Sequence, residues 1–179
     1  MKIIKKLLFA WNEDKEIEFL EKMAIDGYKL VKVQLGKYTF EETEPRKIVY
    51  QLDFVNLHRR NEDDYLQMYE DSGWNLSHKF GGWYYFSRDF DDGIDRSIFN
   101  NNETKKEKYK KLILFLILTG FPLYYQVLFM FPNMDPNKLT FPNFYFFFRI
   151  IVIVFTSLHL YALVRIAIVY NRLNSGINE

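Results

Sequence analysis

Residues 112–131, LILFLILTGFPLYYQVLFMF, contain no charged side chain. A stretch of about 20 apolar residues is what a helix needs to cross the hydrocarbon core of a bilayer. Backbone polar groups have no water partner there, so such a segment must satisfy them internally. A second run, FYFFFRIIVIVFTSLHLYALVRIAIVY (144–170), carries Arg149, His159 and Arg165. Between the two lies PNMDPNKLTFPN (132–143), polar and rich in proline. The pattern predicts a transmembrane hairpin, with helices at about 112–131 and 144–170. KKEKYKK (105–111) precedes the first helix, Arg172 follows the second, and the loop offers only Lys138. Basic residues favour the cytoplasmic side, so both termini are expected in the cytoplasm and the chain in the cell membrane. Arg149 and Arg165 lie near opposite ends of their helix, where long side chains can reach the headgroups. His159 is nearer the middle, which makes it a functional candidate. The plainer reading is a neutral imidazole hydrogen-bonded across the hairpin to Gln126 or Tyr125. Gly120 and Pro122 predict a kink in the first helix.

Most of the charge lies in residues 1–111. The formal net charge of +1 argues against a nucleic-acid partner, which needs a basic face. Cysteine is absent, which excludes disulfides, thiolate nucleophiles and cysteine-based zinc sites. MKIIKKLLFAW begins with basic residues, but the apolar run Leu7 to Trp11 is too short for the core of a signal peptide. It reads as a first strand, over about 3–11.

Shifted by about 46 residues, the soluble part falls on itself. EFLEKMAIDGYKLVKVQLGKYTFE (18–41) matches DYLQMYEDSGWNLSHKFGGWYYFS (64–87). Leu20 meets Leu66, Gly27 meets Gly73, Gly36 meets Gly82, Tyr38 meets Tyr84 and Phe40 meets Phe86. Each copy reads as strand, helix, strand, strand. Asn12 and Asn61 suit helix N-caps, followed by acidic residues that favour the positive helix start. Gly27 and Gly73 suit left-handed C-cap positions. Gly36 and Gly81–Gly82 suit tight hairpin turns. The expected fold is α+β: a duplicated, ferredoxin-like β-α-β-β domain over residues 1–90 (copies at about 3–43 and 47–88). An acidic, then basic linker (91–111) and the hairpin (112–170) complete the chain. One sheet and two abutting sheets are both compatible with the repeat.

FGGWYYF (80–86) is therefore a turn and a strand. Alternation along a strand puts Tyr84 and Phe86 on one face and Trp83 and Tyr85 on the other. Two readings of Trp83 and Tyr85 compete: they cover the second sheet face, or they bind a protein partner, a second copy of the chain or a lipid surface. Asp53, between Leu52 and Phe54, is expected on that second face as well. It would bind a ligand or pair with a neighbouring Lys or Arg.

These residues also carry a family resemblance. FAWNEDKEIEFLEKMAIDGYKL (9–30), YQLDF (50–54) and DYLQMYEDSGWNLSHKFGGWYYF (64–86) resemble the bacterial family known as domain of unknown function 2812. Tyr28 stands where the family often has Trp. The resemblance implies a membrane protein, often encoded beside a PadR-type transcriptional regulator, and implies no known reaction.

Chemical motifs are missing. The three histidines, His58, His78 and His159, form no HExxH or i, i+4 pair, so no metal site is expected. No glycine-rich phosphate loop appears, and Ser72, Ser77 and Ser87 lack a nucleophile-elbow context. RDFDDGIDR (88–96) lacks the ligand spacing of an EF-hand and reads as a solvated linker. No cofactor and no enzymatic activity are expected. The function expected is a membrane-anchored binding or interaction module, regulatory or accessory, with Trp83, Tyr85 and Asp53 as candidate binding residues. One alternative is a sensor or resistance factor for membrane-active small molecules, with the ligand unknown. Another is a subunit of a channel or transporter, with His159 and Gln126 as the intramembrane candidates.

Overall fold

The structure is a computed structural model that describes residues 1–55, 62–90, 102–136 and 140–175. The chain divides into two units, residues 1–108 and 109–179.

The first unit is mixed α+β, with two antiparallel three-stranded sheets. Strand β1 (Lys2–Lys5) leads through a 3-10 turn at Ala10–Asn12 into helix α1 (Glu13–Ile25). Strands β2 (Tyr28–Gln34) and β3 (Lys37–Glu42) follow as a hairpin. The order is then repeated by β4 (Ile48–Phe54), α2 (Glu62–Asp71), β5 (Asn75–Phe80) and β6 (Trp83–Asp89). The sheets are ordered β1-β3-β2 and β4-β6-β5. Each has one register irregularity, at Leu30/Lys32 in β2 and at Leu76/His78 in β5. These two positions are 46 residues apart. The turns need left-handed backbone, and Gly36, Gly81 and Gly82 supply it at φ 64°, 58° and 85°. At Gly27 a Cβ would also meet the carbonyl oxygen of Thr43 at 3.0 Å.

Three local expectations change. The strand expected over 3–11 ends at Lys5, and the rest of that stretch turns into α1. Asn12 precedes α1 but its side chain makes no capping hydrogen bond, while Asn61 lies outside the described residues. Of the linker expected over 91–111, residues from Asn102 onward are helical; 91–101 lie outside the described residues, and with them most of the acidic RDFDDGIDR.

Helix α1 has two neighbours. It packs on β2 of its own sheet and on β4 of the other. Leu20, Ala24, Leu30 and Phe40 thus share one core with Tyr50, Leu52 and Tyr85 from the second sheet. Helix α2 covers the opposite face of that second sheet, where Tyr69, Trp74, Tyr84 and Phe86 form a separate core. The rings of Tyr69 and Phe86 stack there with centroids 3.8 Å apart. The second sheet is therefore covered on both faces.

Helix α3 (Asn102–Tyr125) starts in the first unit and continues into the second. It passes into a π turn at Gln126–Met130 and a last helical turn at Phe131–Asn133. Pro122 has no N–H to give the helical ladder, and the widened turn follows it within four residues. Helix α4 (Pro142–Asn174) completes the chain. The stretches Glu103–Asn133 and Pro142–Asn174 are both long and apolar enough to span a membrane. Large apolar side chains such as Leu118, Phe121, Phe147 and Phe155 are exposed on them. Between the two, Phe131, Tyr145 and Val152 pack together. The Arg149 guanidinium lies 5.7 Å from the centre of the Phe131 ring.

Candidate functional site

Asp53, Trp83 and Tyr85 do not share a surface. Antiparallel pairing sets Leu52 opposite Tyr85 and Phe54 opposite Trp83, whereas Asp53 faces Tyr84. Asp53 therefore points to the α2 side. Its Oδ2 accepts hydrogen bonds from Tyr65 Oη at 2.8 Å and Tyr69 Oη at 3.3 Å, and its Oδ1 accepts from the Phe54 N–H at 2.8 Å. Two phenols stand where a Lys or Arg was expected. Both tyrosine pKa values are raised, first by burial and then by the Asp53 charge.

Trp83 and Tyr85 face α1. Tyr85 is only 5% exposed, and Trp83 is partly buried against the same core. Tyr85 Oη donates to Glu16 Oε1 at 2.9 Å. Tyr38 Oη, from the first sheet, donates to the same oxygen at 2.7 Å. One carboxylate oxygen thus joins the two sheets. Glu16 is 6% exposed. Burial raises its pKa, against the lowering effect of the two tyrosine bonds, while Glu13 adds repulsion and Lys6 a small attraction. Among the described residues Glu16 makes no ion pair.

Beside this carboxylate lies a cavity of about 200 Å³. Glu16 and Glu13 contribute its charge, while Tyr38, Phe80, Trp83 and Tyr85 contribute rings. Glu13 has its own partner. Lys108 Nζ donates to Glu13 Oε1 and, at 3.0 Å, to the Leu52 carbonyl, and both charged side chains are almost wholly buried.

The second half carries a related pair in a different setting. Tyr84, which corresponds to Tyr38, donates to Glu62 Oε1 at 3.1 Å. Glu62 follows Glu16 by the same 46 residues. Here the carboxylate also takes an ammonium, Lys79 Nζ, which lies 5.1 Å from the centre of the Tyr84 ring. Lys79 is the register partner of Tyr84.

In the second unit, His159 Nδ1 lies 2.9 Å from Tyr124 Oη. The expected partners were Tyr125 and Gln126; Tyr124 takes the place of both. Gln126 lies in the π turn, where its carbonyl accepts from the Phe131 N–H. Gly120 lets the imidazole come close, since a Cβ there would meet His159 Cε1 at 2.5 Å. The other ring nitrogen, Nε2, is buried without a hydrogen-bond partner among the described residues.

The model of a family described as a protein of unknown function (DUF2812) matches residues 12–121. The chain belongs to that family. No curated protein and no solved structure matches it. The matched region includes Glu13, Glu16, Tyr38, Asp53, Trp83, Tyr85 and Lys108 of this family member.

Glu13, Glu16 and Tyr38 were not singled out from the sequence. A signal was present. Glu13, Glu16, Leu20, Met23 and Ala24 are the buried residues of α1, at spacings of three and four. Two carboxylates thus occupy the stripe where a helix normally turns apolar residues to the core. The apolar members of that stripe drew attention; Glu13 read as an acid at the positive helix start, and Glu16 was passed over.

Proposed function

We propose that this protein is a small-molecule binding module held at a membrane by its two apolar helices. One observation carries the reading. A buried carboxylate, Glu16, is fixed by tyrosines from both sheets at the wall of a cavity. Small-molecule sites are typically concave, mostly apolar, and equipped with a few placed polar groups. An engineered cavity of about 150 Å³ binds benzene, so 200 Å³ suits a compact ligand. Desolvating a carboxylate costs stability, and a binding role accounts for keeping one here. Trp83 and Tyr85 then serve a ligand inside the seam, which their burial favours over a flat contact with a protein partner.

The two halves of the first unit are, in this reading, copies of one β-α-β-β element whose strand order is that of the first three strands of a ferredoxin-like sheet. Shared strand order and register irregularities 46 residues apart support the duplication. The basic residues flanking the apolar helices support a cytoplasmic place for both termini. No catalytic role is proposed. The sensor or resistance reading falls within this proposal, since a sensor must first bind.

The test is a fragment screen by ligand-observed NMR on the full chain in nanodiscs. Ala10 lines the cavity, so Ala10→Trp should fill it. The expected result is a set of fragments that bind the native chain and not the filled variant. Fragments that bind both equally would contradict the reading.

A second reading, a channel or transporter subunit, draws on His159, whose Nε2 is buried without a hydrogen-bond partner among the described residues. It requires His159→Ala to impair ion or solute flux while Trp83→Ala leaves it intact.

A further inference from the structure

The cavity's charged lining is acidic. Among the described residues that line it, Glu13 and Glu16 are the ones with charge, and no Lys or Arg is present. Glu13 is already matched by Lys108. Glu16 accepts two phenol hydrogen bonds but makes no ion pair among the described residues, and Lys6 gives it only a weak attraction.

The second half shows what such a pair does when a cation is supplied. Glu62 and Tyr84 hold the Lys79 ammonium between a carboxylate and an aromatic ring. The counterpart of Lys79, 46 residues earlier, is Val33. Val33 is the register partner of Tyr38, as Lys79 is of Tyr84. It is buried and lines the cavity. The first half thus keeps the carboxylate and the phenol, loses the tethered ammonium, and has open space beside them.

We propose that the cavity is a site for a small organic cation, an alkylammonium or a related amine, with the Glu16 carboxylate as its counter-ion. The proposal rests on the binding-module reading and names the ligand class. The ammonium occupies the place that Lys79 Nζ takes against Glu62. The rings of Tyr38, Trp83 and Phe80 line the same space, where aromatic faces attract cations. A cation inside a low-dielectric cavity gains most from a carboxylate that is itself desolvated. The hydrocarbon part of the ligand lies against Val33 and Leu52.

Binding also moves a proton. Burial holds the Glu16 pKa above the ordinary carboxylate value, and a cation beside it favours the ionised form. The groups that face it are Glu13 on the same helix, Lys6 after β1, Tyr38 on β3 and Tyr85 on β6. Affinity should therefore rise with pH through the pKa of Glu16 in the free protein, and a proton should be released on binding.

The experiment uses the full chain in nanodiscs and three probes of similar size: n-butylammonium, butan-1-ol and butyrate. Saturation-transfer NMR reads binding. Two variants accompany the native chain. Glu16→Gln removes the charge and keeps an acceptor for the tyrosines. Val33→Lys supplies a tethered ammonium of the kind present in the second half. Butylammonium should bind the native chain in preference to the other two probes. Glu16→Gln should weaken it by at least about tenfold, the scale of a hydrogen bond to a charged group. Val33→Lys should abolish it while the melting temperature holds. Equal binding of the alcohol, unchanged by Glu16→Gln, would overturn the cation inference and leave the binding module standing. Absence of butylammonium binding, with other fragments still lost on Ala10→Trp, would do the same. If no fragment at all responds to Ala10→Trp, both fall.

Discussion

Glu16–Tyr38 and Glu62–Tyr84 are chemically like pairs, 46 residues apart, in two settings. The first is sealed between two sheets, takes a second phenol from the other half, and borders a cavity. The second lies nearer the surface and is closed by Lys79. The difference begins at the first turn of α1. Glu13, the partner of Lys108, stands there on the cavity wall. The residue 46 positions further on is Arg59, which has the opposite charge. The first helix also has a sheet on each side, while the second has its core on one. Similar local sequence thus yields a surface ion pair in one place and a buried carboxylate beside a cavity in the other. What covers the element decides which.

The largest effect should come from the buried ion pair of Glu13 and Lys108. Removing one partner of a buried pair leaves an uncompensated charge, so Lys108→Ala should destabilise by about 3–5 kcal/mol. Replacing both partners at once, as in Glu13→Leu with Lys108→Met, should recover most of that loss. Chemical denaturation of the full chain in detergent micelles measures both. A loss in Lys108→Ala no larger than that in Lys79→Ala would break the contrast between the halves.

Next come the phenols. Tyr38→Phe strips a hydrogen bond from a buried carboxylate and should cost about 1–3 kcal/mol. Tyr84→Phe should cost less, because Glu62 keeps Lys79 and is nearer to water. Lys79→Ala should cost least, at about 0–1 kcal/mol, since exposed ion pairs contribute little. Equal losses in the two tyrosine variants would mean that the halves are not in different environments.

A pH series sharpens the same comparison. The folded-state pKa of Glu16 is raised by burial above its unfolded value near 4.5. The proton is then held more tightly by the folded chain. The stabilisation from Glu16 should be complete below pH 4.5 and should be lost as pH rises through the folded-state pKa. Glu16→Gln cannot lose it. The stability of that variant relative to the native chain should therefore improve on going from acid to neutral pH.

Much of this architecture could be read in the chain. Gly27, Gly36, Gly73 and Gly82 marked turns that the structure places at positive φ. The strands at 28–34 and 37–42 flank the hairpin turn expected at Gly36. The long apolar runs fall within helices. What escaped were relations between elements. Alternation says which side chains of one strand share a face. It does not say how two strands are registered, and a one-residue slip moves every side chain to the other face. That is why Asp53 was grouped with Trp83 and Tyr85, when its register partner is Tyr84. Nor does alternation say what lies on a face. The second sheet looked open because α2 accounts for one side, and α1 from the other half closes the rest. Glu16 was missed for the same reason. An acidic residue on a helix reads as solvated until both sides of the helix are known to be covered.

The most direct measurement is the titration of the Glu16 carboxyl by 13C NMR, with selectively labelled glutamate in the full chain and Glu16→Gln as the assignment control. The expected result is a midpoint above 4.5 that falls when n-butylammonium is added. A midpoint at the ordinary value, indifferent to the cation, would contradict it.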